Sequence, residues 1–156
     1  MPKTHTAFLG SPIGWVKVRA DESAVLSVDF VEAPEDTGTP PKDRPAVLAQ
    51  ALSELDEYFR GERTSFSLPL RLGGTPFQSR VWDRLLRVPY GRTTTYRALA
   101  EAVGNDRATR AVGGANHRNP VSIIVPCHRV VGADGSLTGY GGGLWRKEWL
   151  LRHERR

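Results

Sequence analysis

Cysteine is nearly missing from this chain: Cys127 is the single one in 156 residues. One thiol allows no intramolecular disulfide, which fits a reducing compartment. Only four histidines stand beside it (His5, His117, His128 and His153), scattered along the chain. That leaves too few ligands for a four-coordinate structural zinc site, so no structural zinc is expected. No apolar run approaches the ~20 residues that span a bilayer. The opening Met1-Pro2-Lys3-Thr4-His5 lacks the apolar core of a secretory leader. Internal repeats and low-complexity tracts are absent too. Acid is scarce in the second half: residues 75–156 hold 14 Lys+Arg against 6 Asp+Glu, whereas residues 1–74 hold 8 against 11. A basic half-chain suggests a polyanionic partner, most commonly nucleic acid, with a merely solvated basic surface as the plain alternative. Its cations are nearly all Arg, whose planar fork suits phosphate.

What is present reads as an α+β chain in two parts, residues 1–74 and 75–156. Residues 4–9, 15–19 and 25–30 read as strands, with Ser11-Pro12-Ile13-Gly14 as a turn between the first two. Residues 33–44, rich in proline, read as an exposed loop without specific function. A helix starts near Pro45, with Leu48, Leu52, Leu55 and Phe59 on one apolar stripe and Gly61 as its stop. Residues 65–70 read as a short extended segment before Gly73-Gly74.

Thr75-Pro76-Phe77-Gln78 is a capping box with proline at the first helical position. Phe77, Val81, Trp82, Leu85 and Leu86 form the expected buried face of that helix. Thr95 caps a helix from Tyr96 to about Val103, and Asp106 is placed to cap the next one through Ala115. Two short helices around a Gly-containing turn make either a helix-turn-helix or a plain αα-hairpin. The last helix is expected over 144–155, with Trp149, Leu150 and Leu151 inward.

The second helix of that pair carries Ala108, Ala111, Val112, Gly113, Gly114 and Ala115. Each glycine costs a helix roughly 1 kcal/mol relative to Ala, so the small face calls for a reason. Either another helix packs closely there, or the helix enters a narrow groove of about 6 Å, the width of the DNA minor groove.

Ile123-Ile124-Val125-Pro126-Cys127-His128-Arg129-Val130-Val131 is the one stretch with a chemical signature. Its β-branched run reads as a buried strand, extended and not helical at the thiol. In that geometry Cys127 and His128 point to opposite faces, so a bridging water is the natural link and a third group must orient the imidazole. The plain reading of a free cysteine is a small buried hydrophobe. His128 and Arg129 beside it supply the positive surroundings of a reactive thiolate.

Pro126-Cys127-His128-Arg129, after Arg110-Ala111-Val112-Gly113-Gly114-Ala115 and Asn119-Pro120 and before Tyr140-Gly141-Gly142-Gly143-Leu144 and Lys147-Glu148-Trp149-Leu150-Leu151, resembles the O6-alkylguanine-DNA alkyltransferases, also called methylated-DNA–protein-cysteine methyltransferases. The resemblance is strong from Thr75 to Glu154 and weak before. It implies an RNase H-like first domain and a mainly helical second domain with a winged helix-turn-helix-like motif. It implies one irreversible transfer of an alkyl group from O6 of guanine, with O4 of thymine as a second candidate, to the Cys127 thiolate, with no metal and no cofactor.

By that resemblance His128 is the water-mediated base, Glu154 orients it, Asn119 supports the site, and Tyr96 serves the leaving purine and the rotated phosphate. Arg110 enters the duplex, with Ala108, Ala111, Gly113, Gly114, Thr95 and Arg129 on DNA. Tyr140, Val130, Gly141 and Gly142 line the base pocket. Arg92, Arg97, Arg107 and Arg118 are expected phosphate contacts by charge. Asn116 and Ser122 depart from the apolar or rigid residues of some members beside the alkyl pocket. The partner implied is double-stranded DNA containing alkylated guanine. A monomer is expected, with cooperative binding along DNA left open. The expected location is cytoplasmic and nucleoid-associated, or nuclear in a eukaryote. The rivals are a lesion-binding protein that flags damage without transfer, an unrelated cysteine hydrolase, and a helix-turn-helix regulator.

Overall fold

The computed structural model describes residues 3–35 and 38–155. Residues 36 and 37, inside the expected loop 33–44, lie outside the described residues, as do 1, 2 and 156 at the outer ends of the two expected domains. The chain forms two compact units, Met1–Leu72 and Gly73–Arg156, with the division two residues before the expected one. The fold class is α+β, as the sequence pattern indicates.

In the first unit β1 (His5–Ser11), β2 (Gly14–Ala20) and β3 (Val25–Val31) form an antiparallel sheet in the order β1-β2-β3. Alternation sends Val16, Val18 and Ala20 of β2 inward, all without solvent exposure. α1 (Ala46–Phe59) packs on β1 and β2. Its Leu48, Leu55 and Tyr58 are fully buried, each stabilising the unit by about 1.5–3 kcal/mol. Leu52 is only half-buried, so the stripe runs through Ala51 instead.

The segment 65–70 is no strand. Glu54 of α1 is buried and accepts from Ser67 N (2.8 Å) and Gln50 Nε2 (2.7 Å), which holds the segment against the helix. Only Leu70 pairs, with Val25, in a parallel bridge. The described part of 33–44 is also tied down. Thr39 N donates to Thr6 O (2.7 Å), and residues Pro41–Asp43 form a 3₁₀ turn.

The second unit begins with α2 (Pro76–Leu85). Thr75 Oγ1 accepts from Gln78 N (3.1 Å) and Gln78 Oε1 accepts from Thr75 N (3.0 Å), so the capping box is formed. Gly74 (φ +82°) stands where a Cβ would meet the Trp82 ring at 2.6 Å. Trp82 in turn donates from Nε1 to Ala115 O (2.8 Å), pinning α2 to the end of the helix Thr109–His117. Leu86, expected in the buried face, is 45% exposed because it lies past the last regular turn of the helix.

β4 (Thr94–Thr95) leads directly into α3 (Tyr96–Ala102), capped by Thr95 Oγ1 accepting from Ala98 N (3.0 Å). α4 (Thr109–His117) follows. Asp106 does not cap it. The cap residue is Ala108, and Asn105 Oδ1 instead accepts from Arg107 N (3.1 Å) to shape the turn. β5 (Val130–Val131) pairs in parallel with β4, and α5 (Leu144–Glu154) closes the unit. Trp149 is half-buried, stacked on the His153 ring at 4.7 Å, while Leu150 and Leu151 are buried. No helix among the described residues is long and apolar enough to cross a membrane.

Candidate active site

The expected strand over 123–131 is replaced by turns. Only Val130–Val131 are extended, and Cys127–Arg129 form a 3₁₀ turn. Ile123 takes φ +73°, the one non-glycine residue with positive φ among those described. β-branched residues rarely adopt that conformation. Side chains from the preceding segment hold the turns where a ladder would have been. Asn119 Nδ2 donates to Val125 O (2.8 Å), and its Oδ1 accepts from Val121 N (3.0 Å). Asn116 Nδ2 donates to Cys127 O (3.3 Å). Asn119 thus fastens the backbone just before the thiol, and Asn116 that of the thiol residue itself.

The turn changes what neighbours do. Cys127, His128 and Arg129 are all buried, with His128 at 0% exposure. His128 Nε2 meets Glu154 Oε2 at 2.7 Å. Arg129 grips the same carboxylate through Nε (2.7 Å) and Nη2 (3.0 Å), and donates from Nη1 to Val88 O (2.7 Å). Arg129 is therefore not presented to DNA as expected. Its fork is turned inward because a buried carboxylate needs a matching cation. His128 Nδ1 is buried with no hydrogen-bond partner among the described residues. With Nε2–H donating to Glu154, Nδ1 carries the lone pair.

Charge follows from this packing. Burial alone would lift the Glu154 carboxyl, but hydrogen bonds from His128 and Arg129 outweigh it and hold the acid well below its usual range. Burial pushes the His128 imidazole below its ordinary value, partly offset by Glu154. Burial pushes the Cys127 thiol up, against the opposing pull of Asn119 and of the Lys147 ammonium. The resting site is therefore thiol, neutral imidazole and carboxylate, with Glu154 matched by Arg129.

Lys147 is the residue that the sequence pattern missed. It is fully buried on α5, its Nζ donates to Thr138 O (2.9 Å), and its charge acts on Cys127. Burial in turn lowers its own pKa. Position 147 opens the Lys147–Leu151 motif of the resemblance, without a role given to it, and lies one helical step from Leu150 and Leu151 on the inward face of α5.

Tyr96 Oη accepts from Thr138 Oγ1 (2.8 Å), leaving its own proton available. Tyr140 lies near Cys127, and burial raises its phenol well above its ordinary value. Val130 is buried in β5, while Gly141 and Gly142 lie in the loop before α5.

α4 turns only part of its small face outward, since Val112 and Ala115 are buried. Arg110 and Ala111 are exposed and Ala108 half-exposed. Added Cβ atoms on Gly113 and Gly114 would meet only the Tyr96 ring at 3.9 Å and Arg118 Nη1 at 3.6 Å. Those are ordinary contacts, so close helix packing does not account for the two glycines. A cleft of about 580 Å³ runs along this face, lined by Thr75, Gln78, Arg107, Arg110, Gly114 and Arg118 among others. Arg92 and Arg97 are exposed elsewhere on the unit. The Thr95 hydroxyl is engaged as the α3 cap.

Two family models match the two units: "6-O-methylguanine DNA methyltransferase, ribonuclease-like domain" over residues 4–72, and "6-O-methylguanine DNA methyltransferase, DNA binding domain" over residues 76–156. The chain belongs to this family. Among its relatives is the methylated-DNA–protein-cysteine methyltransferase of Mycobacterium leprae, 48% identical, with 97% of this chain and 92% of that protein covered. The constitutive one of Bacillus subtilis is 45% identical over 93% and 92%. The crystal structure of Mycobacterium tuberculosis OGT in complex with DNA superposes with TM-score 0.86 at 43% identity, covering 96% of this chain and 92% of that one. Family membership makes the chain a methyltransferase of direct DNA repair whose acceptor is a protein cysteine, and Cys127 is the one cysteine it has.

Proposed function

We propose that Cys127 takes the alkyl group from O6 of alkylated guanine in double-stranded DNA, once per molecule. The observation that carries this is the His128 ring, bonded to Glu154 through Nε2 and unpartnered at a buried Nδ1, in the same tight turn as the thiol. His128 Nδ1 draws the thiol proton through one water. The imidazolium so formed is stabilised by Glu154, and the thiolate by the Lys147 charge. Sγ attacks the alkyl carbon, the C–S bond forms, and the C–O6 bond breaks. The electron pair moves into the purine, which takes up a proton. Tyr96, whose hydroxyl accepts from Thr138 and keeps its own hydrogen, is placed in our reading to donate it. The product is a thioether, and no group in the site is arranged to hydrolyse it.

A thiol at 5% exposure cannot meet a base inside a duplex, so the nucleotide leaves the stack. Tyr140, Val130, Gly141 and Gly142 line its pocket. α4 approaches the minor groove with Ala108, Ala111, Gly113 and Gly114, and Arg110 fills the gap in the stack. Arg107 and Arg118 of the same cleft, with Arg92 and Arg97, contact phosphates. Arg129 braces Glu154, and Thr95 reaches DNA only through its backbone. The protein acts as a monomer where DNA is, in the cytoplasm with the nucleoid, or in the nucleus of a eukaryote.

The test is intact-protein mass after mixing with excess duplex containing one O6-methylguanine, followed by peptide mapping. The expected result is a gain of one methylene on the Cys127 peptide, stopping at one per protein. Binding of the lesion without any mass gain would refute transfer and leave a recognition protein.

A further inference from the structure

Four glycines at 139 and 141–143 would ordinarily make a flexible linker. Here the loop is fastened. Gly143 N donates to Tyr140 O (2.9 Å), and Lys147 Nζ donates to Thr138 O (2.9 Å). Arg146 Nη1 donates to Gly142 O (2.8 Å), and the same guanidinium lies 4.5 Å over the Trp145 ring. A Cβ on Gly143 (φ +95°) would stand 3.3 and 3.4 Å from that ring, so the indole rests against the Gly143 backbone. Trp145 remains 56% exposed. A large apolar side chain at the surface, stacked under one cation and against one glycine, fills no core.

We infer that Trp145 and Arg146 are positioning residues that clip Gly142–Gly143 and hold the loop 140–142 in its base-accepting shape before DNA arrives. The inference rests on the reading of Tyr140, Gly141 and Gly142 as the lining of the base pocket. If only a fraction of molecules has the competent loop, apparent affinity for the lesion falls by that fraction, while the chemistry of a filled pocket is unchanged. One lost hydrogen bond of ordinary strength corresponds to about fivefold in the ratio of competent to incompetent loops, and so to at most about fivefold in that fraction.

The experiment is single-turnover methyl transfer from an O6-methylguanine duplex over a range of protein concentrations, with binding to undamaged duplex measured alongside. Arg146→Ala and Trp145→Ala should each raise the half-saturating concentration, by about two- to fivefold, and leave the limiting rate and undamaged-duplex affinity unchanged. Arg146→Lys keeps a donor for Gly142 O but loses the planar stack, and should recover part of the loss. An unchanged half-saturation point, a fall confined to the limiting rate, or no recovery with Lys would overturn the clip. An equal weakening on undamaged duplex would make Arg146 a phosphate contact instead. If the wild-type protein transfers nothing, the pocket reading fails by itself. Amide exchange over 139–143 then decides the clip, which requires faster exchange in both Ala variants than in the wild type.

Discussion

Replacing Glu154 by Gln separates what this carboxylate does for the fold from what it does for the chemistry. Glu154 is 4% exposed and takes three close hydrogen bonds, one from His128 and two from Arg129. Gln keeps the shape and one acceptor oxygen but removes the charge. Arg129, itself 6% exposed, then loses its counter-ion. Breaking one side of a buried pair typically costs about 3–5 kcal/mol, within a total stability of about 5–15 kcal/mol for a domain. Glu154→Gln should therefore fold with a clearly lower urea midpoint. Transfer should fall about 10²- to 10⁴-fold, since the imidazolium that forms at His128 loses its anion. The double variant Arg129→Met with Glu154→Gln removes both charges. It should recover most of the stability, because replacing a whole buried pair is often neutral, yet transfer should stay slow. Urea titration and mass-resolved single turnovers read the two quantities. A folded Glu154→Gln within about threefold of wild-type rate, or a double variant that regains the rate with the stability, would refute the reasoning and leave Glu154 a structural anchor.

Three further outcomes follow from the same geometry. His128 has a folded pKa depressed by burial, so its contribution to stability is complete above about pH 6.5 and is lost as pH falls through the folded value. The urea midpoint should drop between neutral pH and pH 5, and His128→Asn should flatten that slope; an unchanged slope would contradict a neutral buried imidazole. Lys147→Met keeps the volume and removes the charge beside Cys127, so stability should change little while iodoacetamide labelling of Cys127 slows about tenfold; an unaltered rate would show that the ammonium does not act on the thiol. Gly74→Ala would drive a methyl group to 2.6 Å from the Trp82 ring at a φ of +82°, and should cost about 1–3 kcal/mol in chemical denaturation; a neutral result would mean the ring can shift without loss.

Much of the scaffold was legible because its causes are local. The Thr75–Gln78 box is a contact between residues three apart, and the α1 stripe is a period that any helix of that sequence would show. The active-site turn was not legible. Ile123, Ile124 and Val125 carry strand propensity, but Asn116 and Asn119 take the carbonyls of Cys127 and Val125 and bend the chain. Two amide side chains thus overrode a β-branched run. The pairing of His128 with Glu154 spans 26 residues and came only through resemblance. Arg129 was expected on DNA, whereas only the fold could show its fork turned to Glu154, 25 residues away. Lys147 was hidden by its neighbours Arg146 and Glu148, a charged run that reads as a solvated face. The glycines of α4 were legible as unusual, and the structure removed one of the two reasons offered for them.

Ile123 places a limit on how far this protein can be improved. A buried isoleucine at φ +73° sits in a conformation that costs of order 1–3 kcal/mol and that the surrounding packing must impose. Four residues later comes the thiol. A search for stabilising substitutions would be drawn to this position, because Gly or Asn accept the backbone more readily. Either would also free the hinge that aims Val125, Pro126 and Cys127 into the 3₁₀ turn. A protein that acts once per molecule is replaced after use, so lifetime after the event is worth little to it and the position of one sulfur is worth a great deal. Selection for thermal robustness and selection for alkyl transfer would pull residue 123 in opposite directions.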